Sequence, residues 1–154
     1  MPTAAYISTV GSYQPCHKKI FQELGVDVVN LIDVLGVRNE LTNRKFDMIL
    51  MSIDLPVSEA GKTTPDEPEL NALEAEIEKS GMWNGGLYAI RQIRKEGSAN
   101  RDTPIIVADV YAPSGDALFP DAEQQVLGAG ATAYCDDIRP ITLRELVSSQ
   151  LRQQ

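Results

Sequence analysis

Hydrophobic residues occur along the chain in short runs, and each run is followed by a longer stretch with helical spacing. The runs predict five β-strands, with the sequences TAAYIST, VDVVNLI, FDMILMS, TPIIVADV and ATAYCD. FDMILMS is apolar on both faces and predicts a central strand, whereas Asp27 and Asn30 place the second strand at an edge. The alternation predicts an α/β doubly wound fold, a five-stranded parallel sheet with helices on both faces.

Helical spacing of apolar residues predicts five helices that follow the strands, over residues 15–24, 33–45, 84–96, 121–128 and 142–154. We expect the 84–96 helix to bury its isoleucines and to hold Arg94 on or near its outer side. Thr142 and Glu145 have the spacing of a capping box, which predicts that the last helix starts at Thr142.

Residues 57–83 are too many for an ordinary connection between a strand and its helix, which has about 2–6 residues. Within them, PDEPELNALEAEIEKSG predicts an extra helix that starts near Pro68 and stops at Gly81. Leu70, Leu73 and Ile77 form a narrow apolar stripe on this acidic helix. We therefore expect a single domain over residues 1–154, with an acidic helix inserted after the third strand.

Composition and charge exclude several classes of function. The chain has 154 residues and a net charge of −8, and the segment 57–84 alone contributes −5. Such a charge disfavours binding to the phosphate backbone of nucleic acids. No apolar stretch approaches the roughly 20 residues of a membrane span, and the start of the chain lacks the basic residues of a signal peptide. We predict a cytoplasmic protein that binds neither nucleic acid nor membrane.

The few cysteine and histidine residues do not form a recognisable site. Cys16 and Cys135 are too few and too far apart for a disulfide framework or a zinc knuckle. His17 adjoins Cys16, but neighbours on a helix point about 100° apart, which disfavours a Cys–His pair. We expect His17 to face solvent at the start of the first helix.

Four strings, in chain order, resemble the receiver domain of bacterial response regulators. They are FDMILMSIDLP, GGLYAIRQIRKEGSANRDTPIIVA, GAGATAY and RPITLREL, and the resemblance covers nearly the whole chain except the insert. It implies the flavodoxin-like (CheY-like) fold with strand order 2-1-3-4-5, and a role in two-component signalling or a phosphorelay. It also implies a phosphoacceptor aspartate at the end of the third strand and a pair of metal-binding acidic residues at the end of the first.

Hydroxyl side chains stand at these positions in this chain. The family's acceptor lies four residues before a proline, and counting back from Pro56 gives Ser52. The spacing of the first helix places Ser8 and Thr9 at the metal-binding positions. Mg²⁺, which phosphoryl transfer to a carboxylate requires, prefers carboxylate oxygens to neutral hydroxyls.

Two further positions of the pocket also depart from the family. Asp109 stands where the family has a serine or threonine, and Arg139 or Asp137 stands where it has a lysine. An anion on Ser52 would face Asp109 and be repelled by it. We therefore predict a pseudo-receiver that is not phosphorylated, is not an enzyme, and holds no metal or cofactor.

Alternatives remain open. Asp54 lies two residues after Ser52 and is an alternative phosphoacceptor. A different metal site formed by Ser52, Asp54, Asp109, Asp136 and Asp137 is another, and an Asp109–Arg139 ion pair that closes the pocket is a third. A small α/β nucleotide- or metal-binding protein is the last, although STVGSYQP has one glycine and no lysine and is not a phosphate-binding loop.

A domain without phosphoryl chemistry acts through contact, and we predict an adaptor that binds a protein partner. In the family, partners bind the face made by the fourth helix, the fifth strand and the fifth helix. The residues that suit a contact surface are Tyr111, Leu118, Phe119 and Tyr134 on that face, and Met82 and Trp83 at the exit of the insert. A homodimer is left open.

Overall fold

The structure is a computed structural model. It describes residues 1–8, 14–53, 55–58, 67–81, 85–108, 121–135 and 140–152. These residues contain eleven helices and strands and the turns between them. In chain order they are β1 (Thr3–Ile7), α1 (Gln14–Glu23), β2 (Asp27–Leu31), α2 (Val34–Leu41), β3 (Met48–Met51), α3 (Glu67–Ser80), α4 (Gly85–Ile93), β4 (Ile105–Ala108), α5 (Ala122–Ala129), β5 (Ala133–Cys135) and α6 (Pro140–Arg152). All five predicted strands form, and so does the inserted helix.

The strands form one parallel sheet in the order β2-β1-β3-β4-β5, which confirms the predicted fold. All four residues of β3 are buried at the centre of the sheet. Asp27 and Asn30 are exposed on β2, which lies at an edge as predicted. Met51 pairs with both Ile7 and Val107, so β1, β3 and β4 end within one residue of the same level.

Successive residues of each strand point into two different cores, as the period of two in a strand requires. Ile49 and Met51 join α2 and α4 in one core, whereas Met48 and Leu50 join α1 and α6 in the other. Both faces of the sheet are therefore covered by helices, and the apolar character of β3 on both sides is explained.

The predicted end of α2 is wrong, because a distant side chain binds its carboxyl end. The helix was expected over residues 33–45 and ends at Leu41. The fully buried Asn100 donates Nδ2 hydrogen bonds to the carbonyl oxygens of Leu41 (2.7 Å) and Arg44 (2.6 Å), and its Oδ1 accepts from the Phe46 N–H (2.8 Å). These bonds replace helical ones and turn the chain into β3.

The predicted start of α6 at Thr142 is also wrong. The helix starts at Pro140, so Thr142 lies inside it and is not the N-cap. Proline at the first helical position loses nothing, since an N–H there has no partner within the helix. Two elements are shorter than predicted. The helix α4 ends at Ile93, and the strand β4 runs only from Ile105 to Ala108.

The inserted helix α3 packs against the body of the domain on the side of α2 and α4. It ends before Gly81, whose φ of 75° lies in the left-handed region that glycine tolerates. Leu73 is fully buried in the core that contains α2 and α4, and Ile77 packs against that core. The Glu76 carboxylate accepts a hydrogen bond from the Tyr88 hydroxyl at 3.0 Å and lies 3.7 Å from the Arg38 guanidinium.

Among the described residues, none of the helices combines the length and the apolar character that crossing a membrane requires.

Candidate functional site

Two buried serines lie side by side at the carboxyl edge of the sheet. Ser8 follows β1 and Ser52 follows β3, directly after the paired residues Ile7 and Met51. The Ser52 N–H donates to the Ile7 carbonyl oxygen at 2.8 Å, and the Ser8 N–H donates to the Leu31 carbonyl oxygen at 3.0 Å. Backbone bonds therefore hold both residues at this edge, where open α/β sheets bind ligands.

Ser52 has an unusual environment for a hydroxyl. Its exposed fraction is 5%, and among the described residues its Oγ is the only buried side-chain oxygen or nitrogen without a hydrogen-bond partner. Leaving a buried polar group unpaired costs about 1–3 kcal/mol. Buried hydroxyls without a partner are uncommon in folded proteins, which makes Ser52 the candidate functional residue of this edge.

The described part of this edge does not fit the Mg²⁺ ion that the receiver resemblance implies. Ser8 and Ser52 contribute neutral hydroxyls in place of the carboxylates that the ion prefers. No three histidine, cysteine, aspartate or glutamate side chains of the described residues are grouped so that they could hold a metal ion.

The remaining predicted site residues lie outside the described residues. They are Thr9, Asp54, Met82, Trp83, Asp109, Tyr111, Leu118, Phe119, Asp136, Asp137 and Arg139. The Asp109–Arg139 ion pair and the alternative acceptor Asp54 therefore stay predictions.

The loop after β3, which follows Ser52, is fixed by the starts of two helices. At the start of α2, the Val34 and Leu35 N–H groups donate to the carbonyl oxygens of Pro56 (2.9 Å) and Val57 (3.1 Å). At the start of α4, a Cβ added to Gly86 would lie 2.2 Å from the Ile53 carbonyl oxygen. The glycines of the NGG string thus allow α4 to touch this loop, a role that the spacing of residues along the chain did not indicate.

The expectation for His17 is wrong. Its ring is half-buried and meets the ring of Tyr6 edge to face, with 5.4 Å between centroids and 2.6 Å from the Tyr6 hydroxyl to Nδ1. Burial lowers the pKa of His17 below its usual 6.5, because it penalises the charged form. The apolar neighbours Ile20 and Phe21 on the same helix were the signal for this inward orientation.

Arg94 does not simply lie on the outer side of α4. Its guanidinium donates to the carbonyl oxygens of Gly130 (2.8 Å), Arg101 (2.8 Å) and Thr103 (2.6 Å). It also donates to Thr132 Oγ1 at 3.2 Å. Arg94 therefore ties the end of α4 to the turns before β4 and β5, and partial burial lowers the pKa of its guanidinium.

Of the residues predicted to form the partner-binding face, Tyr134 is the one in the described part of the chain. Leu127 on α5, the fourth of the five predicted helices, is a further candidate for this face. Tyr134 lies on β5 and is half-buried, packed against the core of α2 and α4. Leu127 on α5 is 41% exposed, and with Met1 it forms the set of exposed large hydrophobic residues among those described. In the sequence, Leu127 is one leucine in a short amphipathic helix, and its position did not indicate that it would be exposed.

A scan against protein-family models gave no match, and neither did a search of curated proteins. Solved structures of receiver domains, however, are similar to the chain over nearly its whole length. A receiver domain of a two-component histidine kinase from Clostridium thermocellum has 19% identity and a TM-score of 0.67, covering 98% of each chain.

Two more receiver domains give comparable values. One belongs to the sensor histidine kinase PA1611 of Pseudomonas aeruginosa PAO1, with a magnesium ion in its active-site cleft: 18% identity, a TM-score of 0.66 and 98% of each chain. The chemotaxis response regulator CheY4 of Vibrio cholerae has 16% identity and a TM-score of 0.66, over 97% of this chain and 98% of that one. The chain thus has the CheY-like receiver fold.

Proposed function

We propose that this chain is an atypical receiver domain of two-component-type signalling, not phosphorylated, that acts as an adaptor by contact with a protein partner. The observation that carries the proposal is the buried, unpaired Ser52 hydroxyl at the position where the fold family has its acceptor. The CheY-like fold supports the signalling class, and the hydroxyls of Ser8 and Ser52 support the loss of phosphoryl chemistry.

The chemical reason is electrostatic. Attack on a phosphoryl donor needs a cation to neutralise the developing charge, and a cation needs anionic ligands in a pocket with little water. A serine hydroxyl at the acceptor position also has a far higher pKa than a carboxyl group, so it is a weak nucleophile without an adjacent base.

A titration with Mg²⁺ and beryllofluoride tests this proposal. We expect the amide resonances of Ser8 and Ser52 to show no saturable shift in the wild-type chain. The Asp54→Asn variant distinguishes the alternative acceptor. Saturable binding that this variant loses would replace the proposal with a receiver phosphorylated on Asp54, and nucleotide-dependent thermal stabilisation would favour a nucleotide-binding protein.

Contact with a partner is tested on α5. A tagged wild-type chain and its Leu127→Ser variant are compared in a pull-down, with Gln124→Ser as the control at another exposed position of the same helix. We expect a protein that wild type and the control retain and the Leu127 variant loses. If all three retain the same proteins, the surface around Leu127 is not the recognition element.

A further inference from the structure

The inserted helix α3, together with α2 and α4, lines a cleft that does not include Ser8 or Ser52. This insert cleft has a volume of about 740 Å³ and lies between the last turns of α2, α3 and α4 and the turn after α4. Its lining includes Arg38, Asn43, Lys79, Tyr88, Gln92 and Lys95. The volume is within the usual range for sites that bind small molecules, roughly 300–1,000 Å³.

The charge of the cleft differs from that of the chain. The whole chain carries −8. The cleft, in contrast, is lined by three cations, Arg38, Lys79 and Lys95, against two acidic residues, Glu76 and Glu96. Lys79 is the one cation of α3, a helix whose remaining charged residues are all acidic, and it lies on the wall of the cleft.

Within the described part of the chain, neither Glu76 nor Glu96 makes an ion pair with the two lysines. The position of Glu76 is set by other groups. Its carboxylate already accepts from the Tyr88 hydroxyl and lies beside the Arg38 guanidinium. Burial, together with this hydrogen bond, raises the pKa of Tyr88 above its usual 10.0. Within the described residues, the side-chain ammonium groups of Lys79 and Lys95 make no hydrogen bond or ion pair, and Gln92 adds an amide donor to the same lining.

We propose that the insert cleft binds a small molecule that carries a phosphate or another multiply charged anionic group, held by Lys79, Lys95 and Arg38. The last turns of α3 and α4 border the cleft, and their carbonyl ends offset part of the lysine charge. A group with several anionic oxygens can accept charge-assisted hydrogen bonds from more than one of these cations, which is the reason for proposing a multiply charged ligand.

Such a ligand would contact α2, α3 and α4 together and hold the inserted helix on the domain. Binding of this ligand would then be the signal to which the chain responds, in place of phosphorylation. The site itself does not depend on the proposed function, because its residues lie away from Ser8 and Ser52.

Inorganic pyrophosphate is the probe. The full chain is titrated at constant ionic strength, and the amide and side-chain resonances around Lys79, Gln92 and Lys95 are followed by NMR. We expect saturable shifts there and a raised temperature of unfolding, since binding to the folded state stabilises it.

The double variant Lys79→Gln/Lys95→Gln is compared with Lys18→Gln/Lys19→Gln, which removes the same charge from the exposed side of α1. We expect the first to weaken binding at least tenfold and the second less than twofold. Equal weakening in both, or shifts that chloride reproduces at equal ionic strength, would overturn the proposal. Saturable shifts at Ser8 and Ser52 without shifts around the cleft would mean that the probe binds at the carboxyl edge of the sheet. That result would overturn the cleft proposal and would also contradict the proposed function.

Discussion

At the scale of single residues, polar side chains supply hydrogen bonds where helices and turns leave backbone groups without partners. Asn100 binds the end of α2, and Arg94 binds carbonyl oxygens of two separate turns. Buried carbonyl groups need such partners, because an unpaired one costs as much as a lost hydrogen bond. The positions of β4 and β5 at the sheet therefore depend on a few residues.

Replacement of Arg94 tests this dependence. We expect Arg94→Met to lower the free energy of unfolding by about 2–3 kcal/mol, because several carbonyl groups lose a charged donor. Arg94→Lys restores less than half of the loss, since an ammonium group cannot reach the same set of oxygens. Urea unfolding measures both, with the exposed Arg91→Met as the control, for which we expect less than about 0.5 kcal/mol.

The environment of His17 predicts a dependence of stability on pH. Its pKa is lowered in the folded chain, so below pH 6.5 the unfolded chain binds a proton that the folded chain does not. The contribution of neutral His17 to the free energy of unfolding is therefore fully present above pH 6.5. It is lost as pH falls from 6.5 through the lower pKa of the folded chain. Unfolding at pH 7.5 and 5.5 measures this, and NMR titration of the single histidine gives its pKa.

The control for this prediction is His17→Gln, which cannot titrate in this range. We expect the loss of stability between the two pH values to shrink in the variant, since few carboxyl groups titrate above pH 5.5. An equal loss in both proteins, or a His17 pKa above 6.5, would contradict the burial argument.

At the scale of elements, α4 lies against the backbone of the loop after β3. Added Cβ atoms at Gly85 and Gly86 would each lie 2.2 Å from a backbone carbonyl oxygen, of Leu55 and Ile53. A real side chain cannot adopt such distances, so helix and loop would have to separate. The glycine pair therefore positions the loop that follows Ser52.

Gly86→Ala is expected to lower the free energy of unfolding by about 2–3 kcal/mol through this overlap, and to shift the amide resonances of Ser52 and Ile53. Gly128→Ala is the matched control. It lies within α5 and an added Cβ meets nothing within 4 Å, so we expect a gain of up to about 1 kcal/mol from helix propensity. Unchanged stability in Gly86→Ala would show that the loop can move away.

At the scale of the whole molecule, an acidic helix lies over one side of a receiver fold. Its contacts with the described body of the domain include a narrow stripe around Leu73 and the polar contacts of Glu76. The sheet, in contrast, is buried between two cores. We infer that α3 opens at a lower free energy than the sheet does.

Leu73→Ala is expected to raise amide hydrogen exchange in α3 by more than about tenfold, because a buried Leu→Ala change costs about 2–5 kcal/mol. The amides of β3 are expected to change much less. Leu70→Ala, at a half-buried position of the same helix, is the control with the smaller effect. Equal acceleration in α3 and β3 would mean that the insert and the sheet unfold as one unit.

The alternation of apolar residues along this sequence determined the five strands, the central place of β3 and the inserted helix, because these follow from spacings of two to four residues. The hydroxyls at Ser8 and Ser52 were also readable, since they stand at the ends of the predicted strands TAAYIST and FDMILMS. These features are local in the chain.

Only the tertiary structure decided which polar groups meet. Asn100 reaches Leu41 across 59 residues and Arg94 reaches Gly130 across 36, and no periodic pattern encodes such pairs. The same holds for the ends of α2 and α6, for the orientation of His17, and for the insert cleft, which exists because Leu73 docks α3 onto the body. Hydrophobic burial acts along every element, whereas a hydrogen bond depends on two atoms that folding alone brings together.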